Sequence, residues 1–280
     1  MNYVDLHTHS NCSDGSLSPA NLVREAMACG LAAIALTDHD TMSGVDEAVA
    51  AGKEFGVEVM QGVEISANYK SEPVHIIGYG LDQNHPALQE LLSQLQHARK
   101  VRNGRILEKL AELKINLNME ELENSSHGLT GRPHIARLLM KYGLVSSVDD
   151  AFRRYLKRGA KAFVAAKRFP AEDSIRVITD AGGVAVLAHP TTIDKSISTI
   201  SEIVRNLTKA GLAGLEAIYP GHSSQTCKEL IEIADKFGLL YTGGSDFHGA
   251  IKAISLGGAP VMPPVPYKIY ENLKERINHP

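Results

Sequence analysis

Aromatic residues and cysteines are both scarce in this sequence. Its 280 residues include no tryptophan, and aromatic residues make up only 5% of the chain. An extended stacking surface for long single strands of nucleic acid is therefore not expected. The 3 cysteines, Cys12, Cys29 and Cys227, are odd in number and lie far apart. They argue against a disulfide framework and a cysteine-based zinc site, and they predict a protein of the reducing cytoplasm.

Long apolar runs and blocks of like charge are also missing. No apolar run reaches the roughly 18 residues that would predict a membrane-spanning helix. Residues 1–7 lack the basic start and the apolar core of a signal peptide. The net charge is −3 and no tract of like charge occurs, so tight binding of duplex DNA is not expected. With 44% hydrophobic and 22% charged residues, the composition is that of an ordinary globular protein.

Segments typical of strands and of helices alternate along most of the chain. Between residues 86 and 167 this alternation stops, and the pattern predicts helices only. We therefore expect an α/β fold with a parallel sheet, either closed as a barrel or open. Residues 1–85 and 168–280 would form this unit, and residues 86–167 a helical insertion that caps it. The seven predicted strands cover residues 2–6, 32–36, 57–63, 74–78, 184–188, 213–218 and 239–242.

Several of the 12 histidines follow predicted strands, together with carboxylates. His7 and His9 form a His-x-His motif, whose side chains point the same way in an extended backbone. Asp246 and His248 repeat that spacing near the end of the chain. The carboxyl ends of barrel strands share one face, so these groups are expected to meet there. Imidazoles and carboxylates without thiolates suit zinc, manganese or iron, so the sequence predicts a metal site assembled from several loops.

Short motifs in a fixed order resemble the PHP (polymerase and histidinol phosphatase) family of phosphoesterases. The motifs occupy residues 5–10 (Asp-Leu-His-Thr-His-Ser), 13–15, 37–40, 62–66, 75–80, 188–190 and 244–248 (Gly-Ser-Asp-Phe-His). Two blocks of the insertion, residues 130–136 and 155–159, are similar to those of the small stand-alone enzymes of this family. That subgroup includes nucleoside 3′,5′-bisphosphate phosphatases and 5′→3′ exoribonucleases of short RNA. The resemblance implies a distorted (β/α)7 barrel.

The resemblance also implies a set of metal ligands. Nine residues would hold three divalent ions, manganese, zinc or iron, and Glu64 would bridge two of them. The family pattern groups these ligands as His7, His9, Glu64 and Asp246, as Glu64, His75 and His189, and as Asp14, His39 and His248.

The charge of such a centre indicates the class of substrate. Three divalent cations against three carboxylates leave an excess of about three positive charges, which suits a phosphate monoester. The expected reaction is hydrolysis by a metal-activated hydroxide that attacks phosphorus. Asp5, Asp38 and Asp40 are candidates for orienting the imidazoles. Asp38 or Asp40 would equally well cap the helix that begins near Ser43.

Three residues outside the ligand set are predicted to contact the substrate. Arg132 and His134 lie at the predicted start of a helix in the insertion, where a guanidinium and free amide groups favour phosphate. His222 follows the sixth predicted strand and would contact phosphate or protonate the leaving alkoxide. Lys157, Arg158 and Lys161 are more typical of a solvated helix end than of a phosphate site.

One anion site at the metals and a second at the cap favour a substrate with two phosphates. The expected substrates are nucleoside 3′,5′-bisphosphates and short 5′-phosphorylated RNAs, and the cap would exclude long duplexes. Histidinol phosphate is the alternative substrate within the family, although the insertion argues against it. An amidohydrolase and a non-catalytic module of this fold are further alternatives. The missing lysine for a bridging carbamate and the complete ligand set argue against them. The residues do not indicate any protein partner.

Overall fold

The computed structural model describes residues 2–279, and its strands form one mixed sheet that is nearly closed into a barrel. The strands are β1 (Tyr3–Thr8), β2 (Leu31–Leu36), β3 (Glu58–Tyr69), β4 (Glu72–Tyr79), β5 (Phe169–Pro170), β6 (Val184–Leu187), β7 (Gly214–Ile218), β8 (Leu240–Gly243) and β9 (Val265–Pro266). The helices are α1 (Pro19–Ala28), α2 (Val45–Phe55), α3 (Pro86–Glu112), α4 (Met119–Asn124), α5 (Arg132–Lys141), α6 (Val148–Ala151), α7 (Ala171–Asp180), α8 (Ile197–Thr208), α9 (Ser224–Phe237) and α10 (Tyr267–Asn278). A π-helical turn, Phe152–Leu156, continues α6.

The sheet has the strand order β8-β7-β6-β4-β3-β2-β1-β9, with β5 beside β3. Strands β1 to β3 are parallel, and so are β6 to β8. Strand β4 is antiparallel to both of its neighbours, and β9 is antiparallel to β1. The predicted α/β class and distorted barrel are confirmed, but the sheet is mixed rather than all parallel and has nine strands in the described residues rather than seven.

The hairpin between β3 and β4 explains the error in strand direction. Strand β3 continues to Tyr69, and β4 begins at Glu72, so only Lys70 and Ser71 connect them. Lys70 has a positive φ of 54°, yet neither residue is the glycine or asparagine that normally indicates such a turn. Strands β5 and β9 have two residues each, which is too short to produce a periodic pattern.

The end of β8 meets β1 where the barrel nearly closes. The His9 backbone amide donates to Phe247 O at 2.9 Å, and Thr8 and Phe247 form a parallel bridge. Gly244 packs so tightly here that a Cβ would lie 2.4 Å from His7 N. The segments that carry the two His-containing motifs, at the start and near the end of the chain, are therefore neighbours.

Both faces of the sheet are buried, which explains the continuous apolar runs of its parallel strands. In β2, Ile34 and Leu36 belong to a cluster with residues from α1, α2 and α7 to α9. Ala33 and Ala35 belong to a second cluster, which includes residues of α10. Within residues 2–279, none of the helices combines the length and the apolarity needed to cross a membrane.

The insertion has an apolar cluster of its own. Its members come from the second half of α3, from α4 and α5, and from the π-helical turn. The first half of α3, including Leu88 and Leu95, packs into the barrel cluster instead. Leu129 N donates to Cys12 O at 2.9 Å, so the insertion also contacts the loop after β1. The division into a barrel and a cap stays a prediction.

Candidate metal centre

The structure brings the nine predicted ligands together at one end of the barrel. Most of them follow the carboxyl end of a parallel strand, as expected. His7, Glu64 and His75 lie within β1, β3 and β4 instead. His75 is opposite Ser66 in the antiparallel pair of β3 and β4. The imidazole rings are packed closely: the ring of His9 lies 4.7 Å from that of His39 and 4.2 Å from that of His248.

Glu64 lies at the centre of the cluster, and its side chain is completely buried. Its Oε1 is 2.7 Å from His75 Nδ1 and 3.0 Å from His189 Nε2. Its Oε2 is 3.4 Å from both His7 Nε2 and His9 Nε2. Burial alone would raise the pKa of Glu64, but the surrounding imidazoles outweigh burial and hold this pKa well below its usual value. The carboxylate is therefore ionised and can serve two cations at once.

The donor atoms fit divalent metal ions. Two ligands about 2.0–2.1 Å from a tetrahedral zinc ion lie about 3.3 Å from each other. Asp246 Oδ1 is 3.2 Å from His9 Nε2 and 3.6 Å from His7 Nε2. His7 Nε2, His9 Nε2, Glu64 Oε2 and His75 Nδ1 are buried and make no hydrogen bond within residues 2–279. Because unsatisfied buried donors and acceptors are costly, these atoms fit the role of metal ligands.

The ligand groups in the structure overlap more than the predicted ones. Four sets have donor atoms within 4.8 Å of one another, and several residues belong to two sets. The sets are His9, Asp14, His39 and His248; His7, His9 and Asp246; His7, Glu64 and His189; and His39, Glu64 and His75. The predicted distribution over three ions is close to this pattern, but it stays a prediction.

Comparison with known proteins identifies the family. The model of the PHP domain matches residues 5–169. This chain belongs to the PHP family. It is 38% identical to a 5′-3′ exoribonuclease of Haemophilus influenzae over 253 residues, which cover 90% of this chain and 92% of that protein.

Two further PHP relatives span almost the whole chain. A 3′,5′-nucleoside bisphosphate phosphatase of Chromobacterium violaceum is 33% identical over 290 positions, 100% of this chain and 99% of that protein. A solved structure from Bifidobacterium adolescentis, assigned as a metal-dependent phosphoesterase, has a TM-score of 0.89 at 28% identity. It covers 98% of this chain and 96% of its own. The predicted family and phosphoester hydrolase activity are confirmed, and the chain carries a metal-binding centre.

Glu216 is a residue of the PHP centre that the sequence analysis missed. It lies in β7 and is completely buried. His7 Nδ1 donates to its Oε1 at 3.0 Å, and His189 N donates to its Oε2 at 2.7 Å. The carboxylates of Glu216, Glu64 and Asp246 outweigh burial and raise the pKa of His7 well above its usual value. A glutamate within the apolar segment Gly-Leu-Glu-Ala-Ile was the available signal.

The aspartates that were expected to orient imidazoles hold loops instead. Asp5 accepts hydrogen bonds from Ser245 N and Gly257 N. Asp38 accepts from both the amide and the hydroxyl of Ser10. Asp40 accepts from Ser66 N and from the Arg99 guanidinium. The orienting role predicted for these three residues is therefore wrong.

The alternative role, capping of the helix near Ser43, is not seen either. Helix α2 begins at Val45, and its N-cap residue is Gly44.

Two ligands have strained backbones. His189 has a φ of 27° and Asp246 a φ of 52°, values that residues with a side chain rarely adopt. Tyr219 Oη donates to Asp246 Oδ2 at 3.3 Å, and Lys252 Nζ donates to the same oxygen at 2.6 Å. Neither Tyr219 nor Lys252 was predicted from the sequence.

Basic residues face the PHP centre across a small cavity of about 170 Å³. Asp14, His39 and His75 line one side, and the insertion and its flanks supply the other. The basic lining residues are Arg99, Arg102, Arg132, Lys167 and Arg168. Of these, only Arg132 was predicted. The sequence pattern of α3 predicts a helix but not which of its arginines are buried, because their burial depends on contacts with other elements.

The guanidinium groups in this cavity are close enough to affect one another. Burial, together with neighbouring Arg99 and Arg132, lowers the pKa of Arg102 to about 9. Burial and the same two neighbours lower the pKa of Arg168 to about 10. Asp40, which also lines the cavity, opposes both changes but does not cancel them.

The three predicted substrate contacts have different surroundings. Arg132 begins α5, lines the cavity and donates from Nη1 to Leu156 O at 3.4 Å. His134 is buried, and its Nδ1 accepts from Gly131 N at 3.1 Å, which caps its own helix. Burial, together with Arg137 and Arg99, lowers the pKa of His134 to about 4. The predicted contacts of Arg132 and His134 with phosphate stay predictions.

His222 lies behind Tyr219, whose ring is 5.2 Å from that of His222 and 5.5 Å from that of His189. Its Nδ1 donates to Ala217 O at 2.8 Å. Its buried Nε2 has no hydrogen-bond partner in the described part of the chain. In this tautomer Nε2 carries a lone pair and would accept a proton. The predicted contact of His222 with substrate or leaving group stays a prediction.

Proposed function

We propose that this PHP enzyme hydrolyses phosphate esters of nucleotides, namely nucleoside 3′,5′-bisphosphates and the 5′ ends of short phosphorylated RNAs. The observation that carries the proposal is the single cavity shared by the ligand cluster and the buried arginines. One phosphate would react at the cluster while a second is bound by the arginines. The names of the exoribonuclease and bisphosphatase relatives support the same substrates.

Arg102 makes the strongest case for a second anion. Its side chain is 6% exposed, and its Nε has no hydrogen-bond partner among residues 2–279. Asp40 neutralises nearby Arg99, whose Nη2 lies 2.6 Å from Asp40 Oδ2, whereas Arg102 makes no ion pair in the described residues. A buried guanidinium without a counter-charge is costly, and a bound phosphate would supply that charge.

The size of the cavity limits what reacts. Its 170 Å³ is below the roughly 300–1,000 Å³ typical of small-molecule sites, so it suits a phosphate and part of a sugar. A base must lie outside it. A long duplex would collide with the insertion before its backbone reached the cluster, so we expect duplexes to be poor substrates.

We propose that the nine ligands hold three divalent ions, manganese, zinc or iron. When bound, such ions stabilise charge on the phosphoryl oxygens and lower the pKa of water. The chain's own residues orient the reacting group. Glu216 holds the imidazole of His7, Lys252 and Tyr219 hold Asp246, and Arg132 would bind the second phosphate.

The test compares substrates on manganese-loaded protein. We expect kcat/KM for adenosine 3′,5′-bisphosphate and for a short 5′-phosphorylated RNA to exceed kcat/KM for AMP. Arg132→Ala should reduce that preference, whereas Lys161→Ala, which removes an exposed cation of the same insertion, should leave it unchanged. A preference of about tenfold for histidinol phosphate would overturn the nucleotide proposal and leave the phosphoesterase activity in place.

A further inference from the structure

Two larger cavities adjoin the 170 Å³ cavity and offer exits for the rest of a substrate. One has a volume of about 550 Å³ and shares Arg102 and Lys167 with it. The other has a volume of about 570 Å³ and shares Arg132, Phe152, Lys167 and Arg168 with it. Because the 170 Å³ cavity is too small for a base, the rest of an RNA substrate must continue into one of these two cavities. The cavity it enters determines which side chains contact the following nucleotides.

The two exits differ in chemistry. The first is lined mainly by α3, with His97, Arg102 and Arg105 among its aliphatic and polar groups, and by residues 164, 165 and 167. Within the described residues it contains no aromatic ring except that of His97. The second contains two phenylalanines and several cations. We call it the Phe152 groove and define it by Arg132, Phe152, Lys157, Arg158, Phe163 and Arg168. No carboxylate lines this groove within the described residues. Only the Phe152 groove therefore combines phenylalanine rings with a row of cations.

Resting on the proposed function, we infer that the Phe152 groove binds the nucleotides that follow the 5′ end of a single-stranded RNA. Bases would stack on Phe152 and Phe163, and the phosphates between them would contact Lys157 and Arg158. Stacking on aromatic rings beside a positive groove is the general mode of single-strand binding. The groove would thus determine which RNAs the enzyme prefers over a bisphosphorylated mononucleotide.

The cations of the groove are available for phosphates. Lys157 and Arg158 are exposed, and neither makes an ion pair within residues 2–279. The neighbouring arginines do make ion pairs: Arg153 Nη2 lies 2.5 Å and Arg154 Nη1 3.4 Å from Asp150. The chain thus neutralises two cations of this segment and leaves free the two that face the groove.

The π-helical turn Phe152–Leu156 places these groups. Phe152 begins the turn, half-buried against the insertion's apolar cluster, and Lys157 directly follows the turn. The guanidinium carbon of Arg132 lies 5.9 Å from the centre of the Phe152 ring, so Arg132 and Phe152 form the common wall of both cavities. A base on Phe152 would therefore be adjacent to the phosphate that Arg132 binds.

The opposite wall comes from the barrel. Asn68, Ser71 and Pro73, around the turn between β3 and β4, line the groove there. The groove thus lies between barrel and insertion, and its finite volume admits only a short stretch of chain. The low aromatic content of 5% did not predict an aromatic binding surface. Composition alone cannot show that 2 of the 6 phenylalanines line one groove.

The first measurement is binding without turnover. A 5′-phosphorylated pentaribonucleotide with a 3′ fluorophore is titrated with chelator-treated protein, and anisotropy gives Kd. Phe152→Leu should weaken binding at least about fivefold, as expected for one lost stacking contact, and Phe152→Tyr should restore it. Arg158→Ala should reduce the slope of log Kd against log salt by about 0.7, the value for one phosphate contact of a single strand. Lys161→Ala is the matched control and should bind RNA like the wild type.

The second measurement is the ratio of kcat/KM for the pentaribonucleotide to kcat/KM for adenosine 3′,5′-bisphosphate on manganese-loaded protein. Phe152→Leu should lower this ratio by a similar factor, and thermal unfolding checks that the variant is folded. Wild-type RNA affinity and an unchanged ratio in Phe152→Leu would overturn the inference. So would a larger loss in Arg105→Ala, which tests the other exit. A preference for histidinol phosphate in the substrate comparison would overturn the proposed function, whereas the change in Kd of the Phe152 variants reports on the groove without turnover.

Discussion

The Nδ1 atom of His7 lies 3.0 Å from Oε1 of Glu216, and both side chains are completely buried. Glu216 accepts a second hydrogen bond from His189 N, so one carboxylate connects two ligand-bearing segments. With a metal bound, the contact would fix the tautomer of His7, because donation from Nδ1 leaves Nε2, which faces the cluster, to bind the ion. Glu216 therefore acts as a positioning residue for the metal centre.

Glu216→Gln tests this role. The amide keeps the shape of the side chain but loses the charge that supports the donating His7, so metal affinity should fall about 10–100-fold. The measurement is a manganese titration followed by calorimetry, with metal content from elemental analysis. Glu202→Gln, an exposed change on α8, is the control. Unchanged metal affinity in Glu216→Gln would assign Glu216 to packing alone.

Metal removal and replacement of single ligands should separate the ions. A chelator should abolish phosphatase activity, and Mn²⁺ should restore it, because several buried ligand atoms make no hydrogen bond within residues 2–279 and need a cation. Asp14→Ala should remove one ion and leave the others, since Asp14 belongs to only one of the four ligand sets. Glu64→Gln should cost more activity, since Glu64 belongs to two sets. Full metal content and rate in Asp14→Ala would show that this assignment is wrong.

Gly244 has to be glycine because it packs against β1. A Cβ at this position would lie 2.4 Å from both the N and the Cβ of His7. Gly244→Ala should therefore displace His7, lower the free energy of unfolding by about 1–3 kcal/mol and weaken metal binding. Gly104→Ala is a matched control, because its nearest new contact would be Met119 Cε at 3.7 Å and alanine favours the helix. Denaturant unfolding and a metal titration of both variants check the prediction.

His134 should make the free energy of unfolding depend on pH. Its pKa is lowered to about 4 in the folded protein, mainly by burial, whereas an unfolded histidine titrates near 6.5. Below about pH 6.5 the unfolded state gains a proton that the folded state resists, so stability is lost as the pH falls toward 4. His134→Gln keeps an acceptor for Gly131 N and cannot titrate.

Between pH 7 and pH 4.5, the free energy of unfolding of the variant should fall by about 1–2 kcal/mol less than that of the wild type. This difference is smaller than the maximum effect of one titrating group, which is about 1.4 kcal/mol per pH unit. Chelator-treated proteins are compared by denaturant unfolding at both pH values. Exposed His127→Gln is the control and should behave like the wild type. An equal loss of stability in His134→Gln and the wild type would contradict the lowered pKa of His134.

Local patterns made much of this site predictable. His-x-His and Asp-x-His each place two ligands within three residues, and their positions after predicted strands brought them to one face of the barrel. Glu216 and Arg102 escaped prediction, because their roles depend on partners from distant elements. The direction of β4 escaped it because the turn at Lys70 lacks the usual turn residues.

Arg102 should reveal a trade-off between stability and binding. It is buried without an ion pair among the described residues, and its pKa is lowered to about 9 by burial and by neighbouring Arg99 and Arg132. A buried charge without a partner is costly, so an apolar side chain of similar length at this position should stabilise the folded protein. Arg102→Met should therefore raise the unfolding temperature.

If a second phosphate normally neutralises Arg102, the same variant should lower kcat/KM for adenosine 3′,5′-bisphosphate about tenfold or more and affect kcat/KM for AMP less. Arg205→Met, an exposed change on α8, should alter neither quantity. A gain in stability with unchanged substrate preference would mean that the second phosphate lies elsewhere.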